Sequence, residues 1–493
     1  MSLPSNISFF MSRLQGVSVS HFKIFPETNQ TADANKIIRF SLPSNSLVNL
    51  KSLRMAFSAG MTSNGGRLPN KIDSLISRIS IFCGGVLIAN NFDNYHVLRH
   101  AKDALCGSKN DAATSHPEIV RRKSYHNGLG ADNAVLSAAN AAEDYRASAN
   151  KSGSNDQFVI DFWESFLGTV EPSIVDLGLL PQLTVEITLA ENNVCPCVEN
   201  VNLSTTGANN FCNVNAASPI YQLTNINMQV EVLGLSSSVL DSIIQQRLSS
   251  VGYLSLPFKN YFSFQNLHTG NTKINVNSAS LDRLWITYRS STYANKGAPH
   301  AVPGYKLAGA VTAIGGDGAT AGQIGDAPAA LANIAQDIGR PTYDVGGTAG
   351  LNNNCEKYIS KYFQFSHLPT GADAAAKLLT ETDFVLQVNG ASIPAYKLNP
   401  SEFYALSKNS VDHYDVNHSL TMNQYLDSYF VQCMRFCMPD SDFGRLASGL
   451  DTRSVAANIT LETKNLDNPV VNIFAEVTSE LRAGVGRAIE VVQ

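Results

Sequence analysis

Apolar and polar residues alternate along much of the chain. Ile38, Phe40 and Leu42 alternate with Arg39 and Ser41, and Leu53, Met55 and Phe57 with Arg54 and Ala56. Leu183, Val185, Ile187 and Leu189 alternate with Thr184, Glu186 and Thr188, and residues 228–232, 284–288 and 471–477 keep the same period. Successive side chains of a strand point to opposite faces, so each segment reads as a strand with one buried face. One apolar face per strand predicts antiparallel sheets packed face to face. The first strand-like segment is 17–25.

Helices are few. In 236–248, Val239, Leu240, Ile243, Ile244 and Leu248 form one apolar stripe. Ser238, three residues before Asp241, resembles a capping box there. This helix falls at mid-chain. A second helix is expected over 91–105, with Tyr95, Leu98, Ala101 and Leu105 on one face. A third starts at Asn399-Pro400-Ser401-Glu402, a cap followed by proline at the first helical position.

Three pieces of the first half recur, in order, in the second. Leu53-Arg54-Met55-Ala56-Phe57 answers to Leu284-Trp285-Ile286-Thr287-Tyr288. Ile81-Phe82-Cys83-Gly84-Gly85, followed by a short strand and a capped helix, answers to Leu386-Gln387-Val388-Asn389-Gly390 with the same sequel. Ile187-Thr188-Leu189 answers to Ile459-Thr460-Leu461, each after a Gly-Leu pair (Gly178-Leu179 and Gly449-Leu450). The glycines of the middle piece supply the positive φ of a tight hairpin turn. The changing offset between the pieces locates two polar, small-residue insertions, at about 107–155 and about 290–355. Long insertions cost little closure entropy and belong on an exposed end of a sandwich.

Composition sharpens this. A chain of 493 residues is long enough for two large β domains without covalent staples. Only 16% of its residues are charged, against about 25% in ordinary soluble domains, which fits a protein covered by neighbours. A net charge of −5 argues against a dedicated nucleic-acid binder, and the longest basic run is only Arg121-Arg122-Lys123. No apolar run is long enough to span a membrane. The first residues lack a signal-peptide pattern, which predicts a product that is not secreted and makes the sequons at Asn202 and Asn458 chance matches. Residues 1–16 carry Leu3, Ile7, Phe9, Phe10, Met11 and Leu14, and read either as an arm that docks on a neighbouring or inner protein or as an ordinary strand or helix of the first domain.

Candidate chemistry is sparse. His96 and His100 have the spacing of a zinc pair, but Val97 stands where a general-base glutamate would be. Cys195-Pro196-Cys197 with Cys212 lacks a clean CxxC pair. Cys433 and Cys437 read as core residues sharing one face of a strand, too far apart to bond. Asp412, His413, Asp415 and His418 read as a solvated loop. The glycine run 315–322 lacks the Gly-Lys-Ser/Thr ending of a phosphate loop, and no GxSxG elbow is present. Trp163 and Trp285 read as core. The residues therefore supply no catalytic, cofactor or metal site.

The serial halves, the mid-chain helix and the helix after each glycine-turn hairpin resemble the double jelly-roll major capsid proteins of the adenovirus-like lineage of double-stranded DNA viruses. The similarity is nearest to polinton-like viruses and virophages. It is carried by residues 272–290, by 384–388 with the Asn389-Gly390 turn and its helix, and by the tail from Ser448-Gly449-Leu450-Asp451-Thr452-Arg453 to Val477. The resemblance implies an all-β fold of two tandem eight-stranded jelly-roll sandwiches with a few short helices and long surface loops. Its expected division is an arm at 1–16, a first jelly roll at 17–235, a linking helix at 236–249 and a second jelly roll at 250–493. It implies a structural protein without enzymatic activity. Three chains would form a pseudo-hexagonal capsomer that tiles an icosahedral shell beside neighbouring capsomers and penton, minor or cement proteins. A two-domain carbohydrate-binding or adhesive β protein is the main alternative, since fold alone does not settle function. A jelly-roll hydrolase would need convergent carboxylates, which the sequence does not place.

Overall fold

A computed structural model describes residues 17–61, 68–69, 71–106, 156–195, 220–235, 239–289, 361–363, 365, 383–411, 422, 425–426, 429–438, 448–453, 459–464 and 469–493. The 1–16 arm, both insertions, the Ser238 cap, the Asp412–His418 cluster and the 315–322 glycine run lie outside these residues.

In the first half, the strands are β1 (Val17–Ile24), β2 (Ala32–Asp33), β3 (Ile37–Ser41), β4 (Leu47–Met61), β5 (Ile76–Cys83), β6 (Val86–Asp93), β7 (Asp156–Ile160), β8 (Ile174–Asp176), β9 (Leu183–Leu189) and β10 (Tyr221–Leu235). Helix α1 (Tyr95–Cys106) follows β6, and a single turn, α2 (Phe166–Thr169), follows β7. Helix α3 (Val239–Val251) leads into the second half. There the strands are β11 (Tyr253–Leu267), β12 (Asn271–Ile274), β13 (Leu281–Arg289), β14 (Asp383–Val388), β15 (Ala391–Leu398), β16 (Val431–Arg435), β17 (Ile459–Lys464), β18 (Val470–Gly484) and β19 (Ile489–Val492), with α4 (Pro400–Asn409) after β15.

Each half is two facing sheets. The first half has sheets of order β1-β10-β4-β7 and β3-β9-β5-β6, with β2 and β8 attached to the former. The second half has β11-β18-β13-β16, with β19 attached, and β12-β17-β14-β15. The chain visits the equivalent positions in the same order both times, and the named strands pair antiparallel throughout. Two four-stranded sheets wound in this order are a jelly roll, so the molecule is mostly β and carries two of them. The three repeated pieces fall on equivalent strands: β4 and β13, β5 and β14, β9 and β17.

Local chemistry explains the elements. The burial of β9 alternates strictly, buried then half-buried, as its sequence predicts. The hairpins β5–β6 and β14–β15 close through two residues each. Gly84 and Gly85 have φ of 57° and 85°, and Asn389 and Gly390 have 54° and 79°. Both central residues of a type I′ turn need positive φ, which glycine and asparagine tolerate. Helix α4 begins on a capping box. The Asn399 side chain accepts from Glu402 N–H at 2.9 Å, and Glu402 accepts from Asn399 N–H at 2.9 Å.

Two local expectations shift. The helix expected from residue 91 starts at Tyr95, because β6 pairs with β5 as far as Asp93. Cys437 lies beyond β16, which ends at Arg435, so only Cys433 is a buried strand residue. The buried apolar side chains form one cluster running through both jelly rolls.

Candidate functional site: a covered sheet and its open counterpart

In the sheet β11-β18-β13-β16, strand β13 and the first half of β18 are buried on both faces. Its inner row, Leu284, Ile286 and Tyr288 of β13 with Ile473, Ala475 and Val477 of β18, fills the second core. Its outer row, Arg283, Trp285, Thr287 and Arg289 with Asn472, Phe474 and Glu476, is equally buried. The alternation in β13 predicts a wet outer row. That row is dry because β6, α1 and the segment after β7 of the first jelly roll lie against it.

Aromatic rings set the contact. Phe92 of β6 stacks on Tyr261 of β11 with centroids 4.9 Å apart, and meets Phe474 edge-on at 6.3 Å. Lys102 of α1 lies over the rings of Tyr261 (4.8 Å) and Trp285 (5.6 Å). Buried charges complete it. Glu164 accepts from Lys102 Nζ at 2.7 Å, Arg99 at 3.3 Å and Tyr261 O–H at 3.2 Å. Arg99 also donates to Asp73 at 3.1 Å. Glu476 accepts from Arg283 at 2.8 Å and from the Trp285 indole N–H at 3.0 Å. Burial alone would raise the Glu476 carboxyl, but Lys102, Arg283 and Lys259 hold it down at about 2. These acids are tied to cations, so the network fixes the orientation of one jelly roll on the other.

The histidine pair belongs to the same seam. A turn at Lys361–Phe363, from the second half, docks on α1. Tyr362 O–H lies 3.0 Å from His96 Nε2, and Phe363 stacks on His100 at 3.9 Å. His100 Nε2 is 2.6 Å from Ser74 Oγ. Burial lowers both imidazoles: His96 well below its usual range, helped by Arg289 and His100, and His100 to about 4 against the pull of Asp73 and Asp103. The four-residue spacing serves as an aromatic clamp. Among the described residues no group of three metal-ligating side chains converges. Cys195 is buried, while Cys197 and Cys212 lie outside the described residues. Trp163 and Trp285 are both buried, as read.

The equivalent sheet of the first jelly roll, β1-β10-β4-β7, is different. Its inner row, Met55, Met228 and Val230, is buried. Its outer row is exposed at His21, Lys23, Arg54 and Gln229. Val19, Phe22 and Phe25, on or just after β1, are each about half exposed at 51%, 50% and 52%. Helix α4 differs from α1 in the same sense. Residues 95–99 of α1 are all buried, whereas α4 buries Phe403 and Ser407 and leaves Glu402 and Ala405 in solvent.

Two jelly rolls in series, locked through the helix that follows the hairpin of the first, define the double jelly-roll fold found in capsid proteins. Solved structures share it over nearly the whole chain. The protein VP54 of the virus PBCV-1, fitted into a reconstruction of the virophage Sputnik, covers 98% of this chain and 98% of its own at 12% identity and a TM-score of 0.52. A quasi-atomic description of the PBCV-1 capsid gives the same coverage and identity with a TM-score of 0.50. No family model and no curated protein matches the sequence. Among the described residues no helix is long and apolar enough to cross a membrane.

Proposed function

We propose that this chain is a viral major capsid protein. It acts as a homotrimeric, pseudo-hexagonal capsomer that tiles an icosahedral shell around double-stranded DNA, in contact with neighbouring capsomers and with penton and minor or cement proteins. The observation that carries this reading is the seam: two jelly rolls of identical strand order are fixed on each other by buried rings and charges. A rigid pair of similar blocks, used three times, gives six similar corners. In this reading the chain divides into an arm at 1–16, a first jelly roll at 17–235, a linking helix at 236–249 and a second jelly roll at 250–493. It resides in the virion, catalyses nothing and needs no cofactor. The charged residues of its interior serve orientation.

Light scattering after gel filtration, with images of the same fraction, tests this. Three chains of 53.1 kDa should elute together as blocks of threefold outline, or as shells. A monomer at every concentration, with no particles, would overturn the reading.

A further inference from the structure

Two arginines stand on the outer row of β13, and the seam treats them differently. Arg283 is paired with Glu476 at 2.8 Å. Arg289, at the end of the strand, is the largest fully buried side chain of the described residues, and among those residues no carboxylate meets it. Its Nε donates to Asn472 Oδ1 at 2.9 Å and its Nη1 to the Tyr362 carbonyl at 3.3 Å. Its guanidinium lies 4.8 Å over the Tyr362 ring. Its Nη2 has no hydrogen-bond partner among the described residues. A guanidinium stays charged inside a protein, and a buried charge is costly unless a counter-charge meets it. The Arg289 charge is felt as far as His96, whose imidazole it helps to push down after burial itself.

A second spare donor stands beside it. Thr287 lies two residues earlier on the same row, is fully buried, and its Oγ1 also has no partner among the described residues. Thr287 faces Asn472 across the ladder, and Asn472 is the acceptor for Arg289, so hydroxyl and guanidinium flank one side chain. The amide nitrogen of Asn472 is turned away, to Gln265 Oε1 at 3.4 Å. The opposite wall is Tyr362, whose O–H lies 3.0 Å from His96 Nε2 and whose ring stacks on the imidazole at 5.4 Å. Buried donors are normally satisfied. Two neighbouring ones without an acceptor, one of them charged, call for an anion.

We propose that the seam binds a small monovalent anion of halide size, held by Arg289 Nη2 and Thr287 Oγ1. One negative charge matches the one unpaired guanidinium. A phosphate or sulfate would bring several oxygens and a second charge to a place with one cation and two spare donors. The ion would neutralise the guanidinium on which Tyr362 rests. Tyr362 in turn holds His96 of the first jelly roll, so the ion strengthens the lock between the two halves. The site is formed within one chain and does not depend on the capsomer reading.

Bromide is the probe. Crystals of the full chain soaked in sodium bromide should show an anomalous peak beside Arg289 Nη2 and Thr287 Oγ1. In solution, replacing sodium gluconate by sodium bromide or chloride at equal ionic strength should raise the urea midpoint of the wild type, as a ligand of the folded state does. Thr287→Val keeps the shape of the side chain and should weaken the apparent halide affinity about tenfold, the worth of one hydrogen bond to a charged group. Arg289→Met should abolish the halide dependence; if that variant does not fold, the bromide peak and Thr287→Val decide. No peak at this place in the wild type would overturn the proposal. So would a halide effect of the same size in wild type and Thr287→Val, which is a general salt effect, or none at all, which is what a buried water would give.

Discussion

The sheets β11-β18-β13-β16 and β1-β10-β4-β7 have the same strand order and the same place in their jelly rolls, but only the first is dry on both sides. At matched positions, Glu476 is buried with Arg283 and Trp285, whereas Glu231 is half-buried and takes a long bond of 3.3 Å from Asn49. One side-chain type in one architectural place thus does two jobs. The difference lies in what covers the sheet, and the composition of the outer row follows. Rings and paired charges occupy the covered row, and single polar side chains the open one.

Substitutions at matched positions break this comparison most sharply. Removing one partner of a buried ion pair costs about 3–5 kcal/mol, so Glu476→Ala should lower chemical stability by that order. Glu231→Ala should change it by no more than about 0.5 kcal/mol. Equal effects in urea titrations would mean that the two faces are not distinct. Phe92→Ala empties a buried stack and should cost about 3–5 kcal/mol. Phe22→Ala, on the open sheet, should sit within roughly 1 kcal/mol of wild type.

A pH titration sharpens the comparison at the seam. His96 and His100 are held neutral in the fold, below the usual 6.5. The unfolded chain therefore binds more protons, and stability is full above pH 6.5 and falls as the pH drops toward 4. For His100, the drop from 6.5 to about 4 is worth at most about 3 kcal/mol. Glu476 adds a second loss as the pH falls from 4.5 toward 2. The urea midpoint should fall through the first window in wild type, and His100→Asn should flatten that slope. A wild-type midpoint constant from pH 6.5 to 4 would contradict the clamp. A modest effect is expected at the exposed start of α4. Asn399→Ala removes a capping box and should cost about 1 kcal/mol, read as a matching drop in the urea midpoint.

The sequence made the jelly rolls legible and left the seam hidden, for a physical reason. Alternation reports one buried face, so Ile38, Phe40, Met55 and Val185 could be placed in a core from period alone. The paired glycine turns and the Asn399-Pro400 cap were equally readable, because turn and cap chemistry is local. Burial of Arg283, Thr287, Arg289 and Glu476 depends on a partner domain, and polar residues in an alternating row read as wet. A signal was present: 470–477, Val-Val-Asn-Ile-Phe-Ala-Glu-Val, is nearly continuous in apolar residues, the mark of a strand buried on both faces. His96 and His100 were visible as a spaced pair, but the aromatic turn they clamp is more than 260 residues away in sequence, Tyr362 against His96.

The claim at the centre of this account is that one sheet is covered within the chain while its counterpart is open. Hydrogen exchange on the intact chain tests it directly. Peptides from β13 and β18 should exchange more slowly than the matched peptides from β4 and β10. Equal exchange in the two pairs would contradict it.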